Sequence, residues 1–215
     1  MTTAIIGTGQ LGSAIARQLA SGGEGVRLAS ADQASAQTLA TAIGPAATVA
    51  ADNEDALRGV DAVILALRFS VLENVVSSLA GPLAGKFVIV PSNPVSLDPQ
   101  GNVVRVLPEG QASGRVVAGW LPPTTHLAIA FGSMASELLE ANSRRSPEPA
   151  VLFYVTDDDG AEEEVERLIR AAGFEPAKAG GLDQSTRLEV GGDLHDAVVG
   201  PAKARSLIAA EAASS

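Results

Sequence analysis

The sequence contains no cysteine among its 215 residues. This absence excludes disulfide bonds, thiolate nucleophiles and cysteine-ligated zinc or iron–sulfur sites, and it is typical of a reducing compartment. Aromatic residues make up only 3% of the chain, and the formal net charge is −10. Because a nucleic-acid surface needs clustered lysine and arginine, usually with stacking aromatics, we expect no nucleic-acid partner and favour a small-molecule ligand.

Long hydrophobic runs are also missing, since charged residues interrupt every apolar stretch before it reaches about 18 residues. The first residues, Met1-Thr2-Thr3-Ala4, carry no basic segment followed by an apolar core, which is the pattern of an export signal. We therefore expect a cytoplasmic protein that does not associate with membranes.

Short apolar runs alternate with helical patterns along most of the chain. Ala62–Leu67 and Phe87–Val90 are apolar throughout, which indicates strands covered on both faces. The pattern predicts an α/β fold of the Rossmann type, doubly wound, with a mostly parallel sheet and helices on both faces. We expect six strands before residue 132, and a loop without strands over residues 91–111.

The segment Ser143–Pro149 has two prolines and two arginines among serines, which is typical of a linker. We place a domain boundary there. The prediction is a dinucleotide-binding domain over residues 1–146 and a small C-terminal α/β extension, residues 147–215, packed on it.

A glycine-rich loop follows the first predicted strand and precedes a predicted helix. Its pattern is G-x-G-x-x-G, with Gly7, Gly9 and Gly12, and it lies inside a strand–helix–strand unit. In this context Gly7 allows a tight turn, Gly9 lets a pyrophosphate approach the backbone, and Gly12 lets the helix pack closely on the strand. The free N–H groups and the dipole of the helix favour a phosphate anion.

The end of the second strand gives a less definite signal about the dinucleotide. No acidic residue stands at the strand end to receive ribose hydroxyls, as NAD binding usually requires, and Asp32 is alternatively only a helix cap. No lysine or arginine occurs between Leu28 and Leu57 to meet a 2′-phosphate. Arg68, after the fourth strand, is the one cation expected to face the adenine side of the crevice, or else an ordinary solvated side chain.

Several stretches, taken in order, resemble the family of NADPH-dependent coenzyme F420 reductases, also called F420-dependent NADP oxidoreductases. These stretches are IIGTGQLGSAIARQLA, DAVILAL, VIVPSNPV, LPEGQASG, AIAFGSMASELL and VLFYVTDDDGAEEEVERLIRAAGFEPAKAGGLD. The resemblance covers nearly the whole chain. It implies a Rossmann domain with a small C-terminal portion, a homodimer, and hydride transfer between NADP(H) and a deazaflavin, coenzyme F420.

The resemblance also implies roles for individual residues. The cofactor-binding candidates it implies are the loop residues Gly7, Thr8, Gly9, Gln10, Leu11 and Gly12, then Ser30 toward the 2′-phosphate, and Asn93 and Pro94 near the nicotinamide ribose. Leu67 and Arg68 are added to these candidates because of their place after the fourth strand. Family members commonly have arginine at position 31, proline at 68, and histidine or asparagine at 132. This chain has Ala31, Arg68 and Gly132, so NAD(H) stays an alternative cofactor and the hydride acceptor stays open.

Residues beyond the sixth strand are candidates for substrate contacts, because ligands of such folds bind outside the carboxyl ends of the strands. They are Phe131, Gly132, Ser133 and Met134, although Phe131 and Met134 are equally suited to the core. His195, after two glycines, is a weak catalytic candidate, and we assign no metal site. His126 and the acidic run Asp157-Asp158-Asp159 are interpreted as structural, the latter as a helix N-terminus.

Two other functions remain open at this point. One is an NAD(P)H-dependent reductase of another small acceptor, such as a free flavin or a ferric chelate. The second is a non-catalytic sensor that binds NADP(H) and reports it to a partner, since the chain has only two histidines and few candidate catalytic side chains.

Overall fold

The computed structural model describes residues 1–212 as one eight-stranded sheet with helices on both faces and a separate two-stranded hairpin. The strands are β1 (Thr2–Ile6), β2 (Gly25–Ala29), β3 (Ala47–Val49), β4 (Ala62–Leu65), β5 (Phe87–Val90), β6 (Val95–Leu97), β7 (Val103–Arg105), β8 (His126–Ala130), β9 (Val151–Val155) and β10 (Glu175–Lys178). The helices are α1 (Gln10–Ser21), α2 (Gln33–Ile43), α3 (Asn53–Ala56), α4 (Phe69–Ser78), α5 (Ala80–Leu83), α6 (Ser113–Trp120), α7 (Ser136–Asn142), α8 (Asp159–Ala171), a 3₁₀ helix (Leu182–Arg187) and α9 (Pro201–Ala212).

The strand order of the large sheet is β10-β9-β8-β5-β4-β1-β2-β3. All neighbours are parallel except β8 and β9, which run antiparallel. The order reverses between β1 and β4, and this switch point is where open α/β sheets form a ligand crevice. The predicted Rossmann fold, doubly wound and mostly parallel, is confirmed, as are the six sheet strands expected before residue 132.

The core consists of two apolar layers, one on each face of the sheet. Every residue of β4 is buried, because the strand is central and helices cover both of its sides. Within residues 1–212, no helix is both long enough and apolar enough to cross a membrane.

The prediction of a strandless loop over residues 91–111 is wrong. The segment contains β6 and β7, an antiparallel hairpin in which Leu97 pairs with Val103. Its turn is closed by the Asp98 carboxylate, which accepts hydrogen bonds from the N–H groups of Gln100 (2.9 Å) and Asn102 (2.8 Å). Each strand has only three residues, and prolines flank the first, so the apolar alternation is too short to identify it from sequence.

The predicted linker Ser143–Pro149 is tied to two helices at its start. The Arg144 guanidinium donates to the carbonyl oxygens of Gln18 at the end of α1 (2.9 Å) and Ala171 at the end of α8 (2.6 Å). Beyond the segment, β9 and β10 extend the same sheet. The division into residues 1–146 and 147–215 stays a prediction, and its last three residues lie outside the described part.

Candidate functional site

An open crevice lies at the carboxyl ends of β1, β4 and β5, next to the switch point of the sheet. Three turns line it, each following one of these strands: Gly9–Gly12, Ala66–Phe69 and Pro91–Asn93, with Val95 at the outer side. The crevice thus gathers most of the residues predicted to bind a cofactor, although they are up to 84 positions apart in sequence, from Gly9 to Asn93.

The three glycines of the loop have three different surroundings. Gly7 has φ +103°, and a Cβ there would lie 2.2 Å from the Ala66 carbonyl oxygen. A Cβ on Gly12 would lie 2.1 Å from the Gly7 carbonyl oxygen, because α1 packs against the turn. A Cβ on Gly9 would meet nothing within 4 Å. Two glycines are therefore required by the fold, whereas Gly9 leaves free space above the backbone.

The N-terminus of α1 opens toward this free space. Gly9 is its N-cap residue and supplies no side-chain cap, so the first N–H groups of the helix have no side-chain partner there. Thr8 is buried, and its hydroxyl lies 3.1 Å from the Ser35 hydroxyl on α2. Ser13 donates to the Thr8 carbonyl oxygen at 2.9 Å. These contacts hold the loop rigidly against both helices.

The end of β2 carries short polar groups and no cation. The Ser30 hydroxyl accepts a hydrogen bond from the Asp32 N–H at 3.2 Å, and Asp32 caps α2 by accepting from Ala34 and Ser35 N–H. The alternative interpretation of Asp32 as a helix cap is confirmed. Arg27, the nearest arginine in sequence, forms an ion pair with Asp55 at 2.9 Å.

Leu67 and Arg68 follow β4 and line the crevice opposite the glycine loop. The Leu67 carbonyl oxygen accepts from the Ser92 hydroxyl at 2.5 Å, which joins the turns after β4 and β5. Arg68 is exposed at the N-cap position of α4. Its guanidinium forms no hydrogen bond or ion pair with any residue from 1 to 212, so its charge is available to a ligand.

Asn93 clamps two distant parts of the chain together. Its Nδ2 donates to the Gly132 carbonyl oxygen at 2.7 Å, and its Oδ1 accepts from the Val190 N–H at 2.8 Å. Pro94 is buried, and its carbonyl oxygen accepts from the Val106 N–H at 2.8 Å at the base of the hairpin. Asn93 therefore lines the crevice, whereas Pro94 anchors the base of the hairpin.

The four substrate candidates after β8 do not form a common ligand surface. Phe131 (φ +67°) and Met134 are buried in the apolar layer, which favours the core alternative for both side chains. Ser133 is also buried. A Cβ on Gly132 would lie 2.0 Å from the Pro91 carbonyl oxygen, so a histidine or asparagine does not fit at this position in this backbone.

The polar run around His195 is spread over separate structural contacts. His195 Nδ1 lies 3.1 Å from the Leu188 carbonyl oxygen, and Asp196 accepts from the Ala135 N–H at 2.8 Å beside α7. Asp193 binds the buried Arg187, whose hydrogen bonds lower the pKa of the Asp193 carboxyl. Across residues 1–212, no group of three histidine or acidic side chains is arranged to hold a metal ion.

The other titratable pair lies at the amino end of β8, away from the carboxyl ends of the strands where the crevice lies. His126 stacks on Phe87, and its Nδ1 lies 2.6 Å from the Asp158 carboxylate. Asp158 also caps α8, as the acidic run predicts, by accepting from the Gly160 and Ala161 N–H groups. Burial acts to raise the pKa of Asp158, but these hydrogen bonds outweigh it and leave the pKa lowered.

Sequence reasoning missed a polar cluster behind the crevice, which we call the Glu189 cluster: the buried Ser113, Ser185 and Glu189, and the exposed Arg105. The Glu189 carboxylate binds the Arg105 guanidinium and accepts from the Ser113 N–H (2.9 Å) and the Ser185 hydroxyl (3.2 Å). It thereby caps α6 and anchors the base of the hairpin. Only the spacing of Ser185 and Glu189, one helical turn, hinted at this in sequence.

Comparison with known proteins supports an NADP-linked oxidoreductase. Residues 2–94 match the family model described as NADP oxidoreductase coenzyme F420-dependent. Comparison with curated proteins finds no match.

Three solved structures show how far the similarity extends. A hypothetical protein from Sinorhizobium meliloti is 25% identical, with 93% of this chain and 95% of that chain covered and a TM-score of 0.82. A protein from Arthrobacter sp. FB24, provisionally described as an F420-dependent NADP reductase, is 19% identical over 85% and 86% of the two chains (TM-score 0.73). A reductive aminase from Aspergillus terreus, solved with NADPH and ethyl levulinate, is 22% identical over 91% of this chain and 58% of that chain (TM-score 0.61).

These findings cover the glycine loop and the turns after β4 and β5, which are the lining of the crevice. The resemblance identified from sequence is thereby confirmed over residues 2–94, which carry the pattern of the coenzyme F420-dependent NADP oxidoreductases.

Proposed function

We propose that this protein transfers a hydride between NADP(H) and a deazaflavin of the coenzyme F420 type. The observation that carries the proposal is the glycine loop, in which only Gly9 leaves space above the backbone, at the mouth of an open crevice. The matched family and the NADPH-bound neighbour support NADP(H) as the dinucleotide.

The residues of the crevice fit an extended dinucleotide. The pyrophosphate would lie over Gly9 and the free N–H groups of α1, with Arg68 supplying positive charge from the facing turn. Ser30 would bind the 2′-phosphate through its hydroxyl. The nicotinamide would lie toward Asn93, whose amide fixes the crevice wall between β5 and β8.

Hydride transfer between two bound rings requires few protein side chains. A dihydronicotinamide supplies the hydride, the oxidised ring takes it together with one proton from solvent, and the products are NADP⁺ and the reduced deazaflavin. Such a transfer needs two rings held face to face and shielded from water, so the protein acts by positioning. We assign no catalytic side chain, and His195, a weak candidate, lies with Nδ1 at the Leu188 carbonyl oxygen.

A reductase of another acceptor is the second candidate. Gly132 favours it, because the close approach to Pro91 leaves no room for the side chain that family members commonly carry there. Turnover of a free flavin or a ferric chelate, with none of F420, would decide for this candidate. An NADP(H) sensor would bind the dinucleotide and turn over no acceptor. The homodimer and the cytoplasmic location implied earlier stay predictions.

The test is a parallel titration with NADPH and NADH, followed by addition of F420 while its absorbance is recorded. We expect NADPH to bind and the F420 absorbance to bleach. The Gly9→Val variant should fold normally but lose at least about 100-fold in dinucleotide affinity, because its side chain occupies the pyrophosphate position. Undiminished NADPH binding by a folded Gly9→Val variant would refute the proposed site.

A further inference from the structure

The β6–β7 hairpin carries a group of bare apolar side chains. Of seven exposed large apolar side chains within residues 1–212, three belong to the hairpin, namely Leu97, Val103 and Val104, and Val106 directly follows it. Exposed apolar side chains are common singly, but a group beside a crevice indicates a binding surface.

Strand register separates the two faces of the hairpin. Val95 pairs with Arg105 and Leu97 pairs with Val103, so these four side chains share one face, since side chains alternate along a strand. Val95 lines the crevice, and Arg105 binds Glu189 in the body of the protein. This face therefore begins in the crevice and continues outward, where Leu97 is 69% and Val103 57% exposed.

The base of the hairpin is held firmly while its outer part projects. Arg105 binds the buried Glu189 carboxylate and donates to the Gln111 carbonyl oxygen at 2.6 Å, and Val106 N–H donates to the Pro94 carbonyl oxygen at 2.8 Å. Leu97 and Val103 are thus presented at a fixed place beside the crevice.

We propose that Leu97 and Val103 form the outer wall of the acceptor site, against which the flat ring of the hydride acceptor packs. The inference rests on the proposed function, which requires a planar ring stacked on the nicotinamide at this crevice. Two side chains suit one ring, whereas a stable contact with a second copy of the chain buries about 800 Å² per partner. Continuity with Val95 joins this wall to the dinucleotide site.

The test compares two faces of one hairpin. The double variant Leu97→Ser/Val103→Ser removes the proposed wall, and Val104→Ser, on the opposite face, is the matched control. Steady-state kinetics with F420 at saturating NADPH give the KM for F420, and fluorescence titration gives the Kd for NADPH. We expect the double variant to raise the KM at least about tenfold with the Kd for NADPH unchanged. Val104→Ser should behave as wild type.

Three results would contradict the proposal that Leu97 and Val103 form the wall of the acceptor site. They are an unchanged KM in the double variant, an equal rise in Val104→Ser, and a smaller sedimentation coefficient for the double variant, which would assign the surface to a second copy. Wild-type protein that reduces no F420 would instead refute the proposed function, and the wall with it. The wild-type assay therefore separates the two failures.

Discussion

The glycine loop, which lines the crevice, and the Glu189 cluster, which lies behind it, are built by opposite means. The loop is a continuous stretch of backbone without charged side chains, and its shape depends on two glycines that meet neighbouring carbonyl oxygens. The cluster joins side chains up to 84 residues apart around a buried carboxylate. The comparison teaches that the loop in the crevice is determined by local backbone geometry, whereas the support behind it is determined by long-range polar contacts.

The largest expected effect separates folding from binding within the loop. Gly12→Ala places a Cβ against the Gly7 carbonyl oxygen, so we expect it to lower the free energy of unfolding by about 3 kcal/mol or more. Gly9→Ala, which meets open space, should change it by less than about 1 kcal/mol. Urea unfolding of both variants measures this. Equal losses would show that the two glycines do not differ as the structure indicates.

The next effect tests the Glu189 cluster. Glu189→Gln removes the charge that binds Arg105 and caps α6, and we expect a loss of about 2 kcal/mol in the free energy of unfolding. Ser113→Ala is the control, because its buried hydroxyl has no hydrogen-bond partner within the described residues, and it should cost less than about 0.5 kcal/mol. A neutral Glu189→Gln variant would contradict the anchoring role.

A smaller effect concerns the dinucleotide. Arg68 lines the crevice with the glycine loop and not with Ser30, so its charge should act on the pyrophosphate that NADPH and NADH share. Arg68→Gln should weaken both about tenfold, as measured by fluorescence titration. Arg17→Gln, whose side chain pairs with Glu140, is the control. A loss of affinity for NADPH alone would indicate that Arg68 contacts the 2′-phosphate and not the pyrophosphate.

The smallest effect depends on pH. Arg187 lowers the pKa of Asp193, so the ionised carboxylate stabilises the fold above its unfolded-state pKa, and this stabilisation is lost as pH falls through the folded-state pKa. Because Asp193 is half exposed, Asp193→Asn should lower the free energy of unfolding by less than about 1 kcal/mol at neutral pH. In acid it should leave the free energy of unfolding unchanged. Unfolding curves at both pH values check this, and a constant difference would contradict it.

Sequence alone predicted what local patterns determine. The glycine loop, the alternation of strands and helices, and the caps at Asp32 and Asp158 each depend on a few neighbouring residues. The hairpin was missed because three-residue strands carry too little pattern. The need for glycine at 132 depends on the Pro91 carbonyl oxygen, which is 41 positions away, and no local signal reports such a contact.

The hydrogen bond between Asn93 and Val190 can form only late in the synthesis of the chain. The two residues are 97 positions apart, and ribosomes add about 5–20 residues per second, so several seconds separate their synthesis. Strands β1 to β5 and the glycine loop are translated before Val190, the partner of the Asn93 side chain, is synthesised. The nascent chain therefore contains the glycine loop and all three turns that line the crevice before it contains the residue that fixes the Asn93 amide.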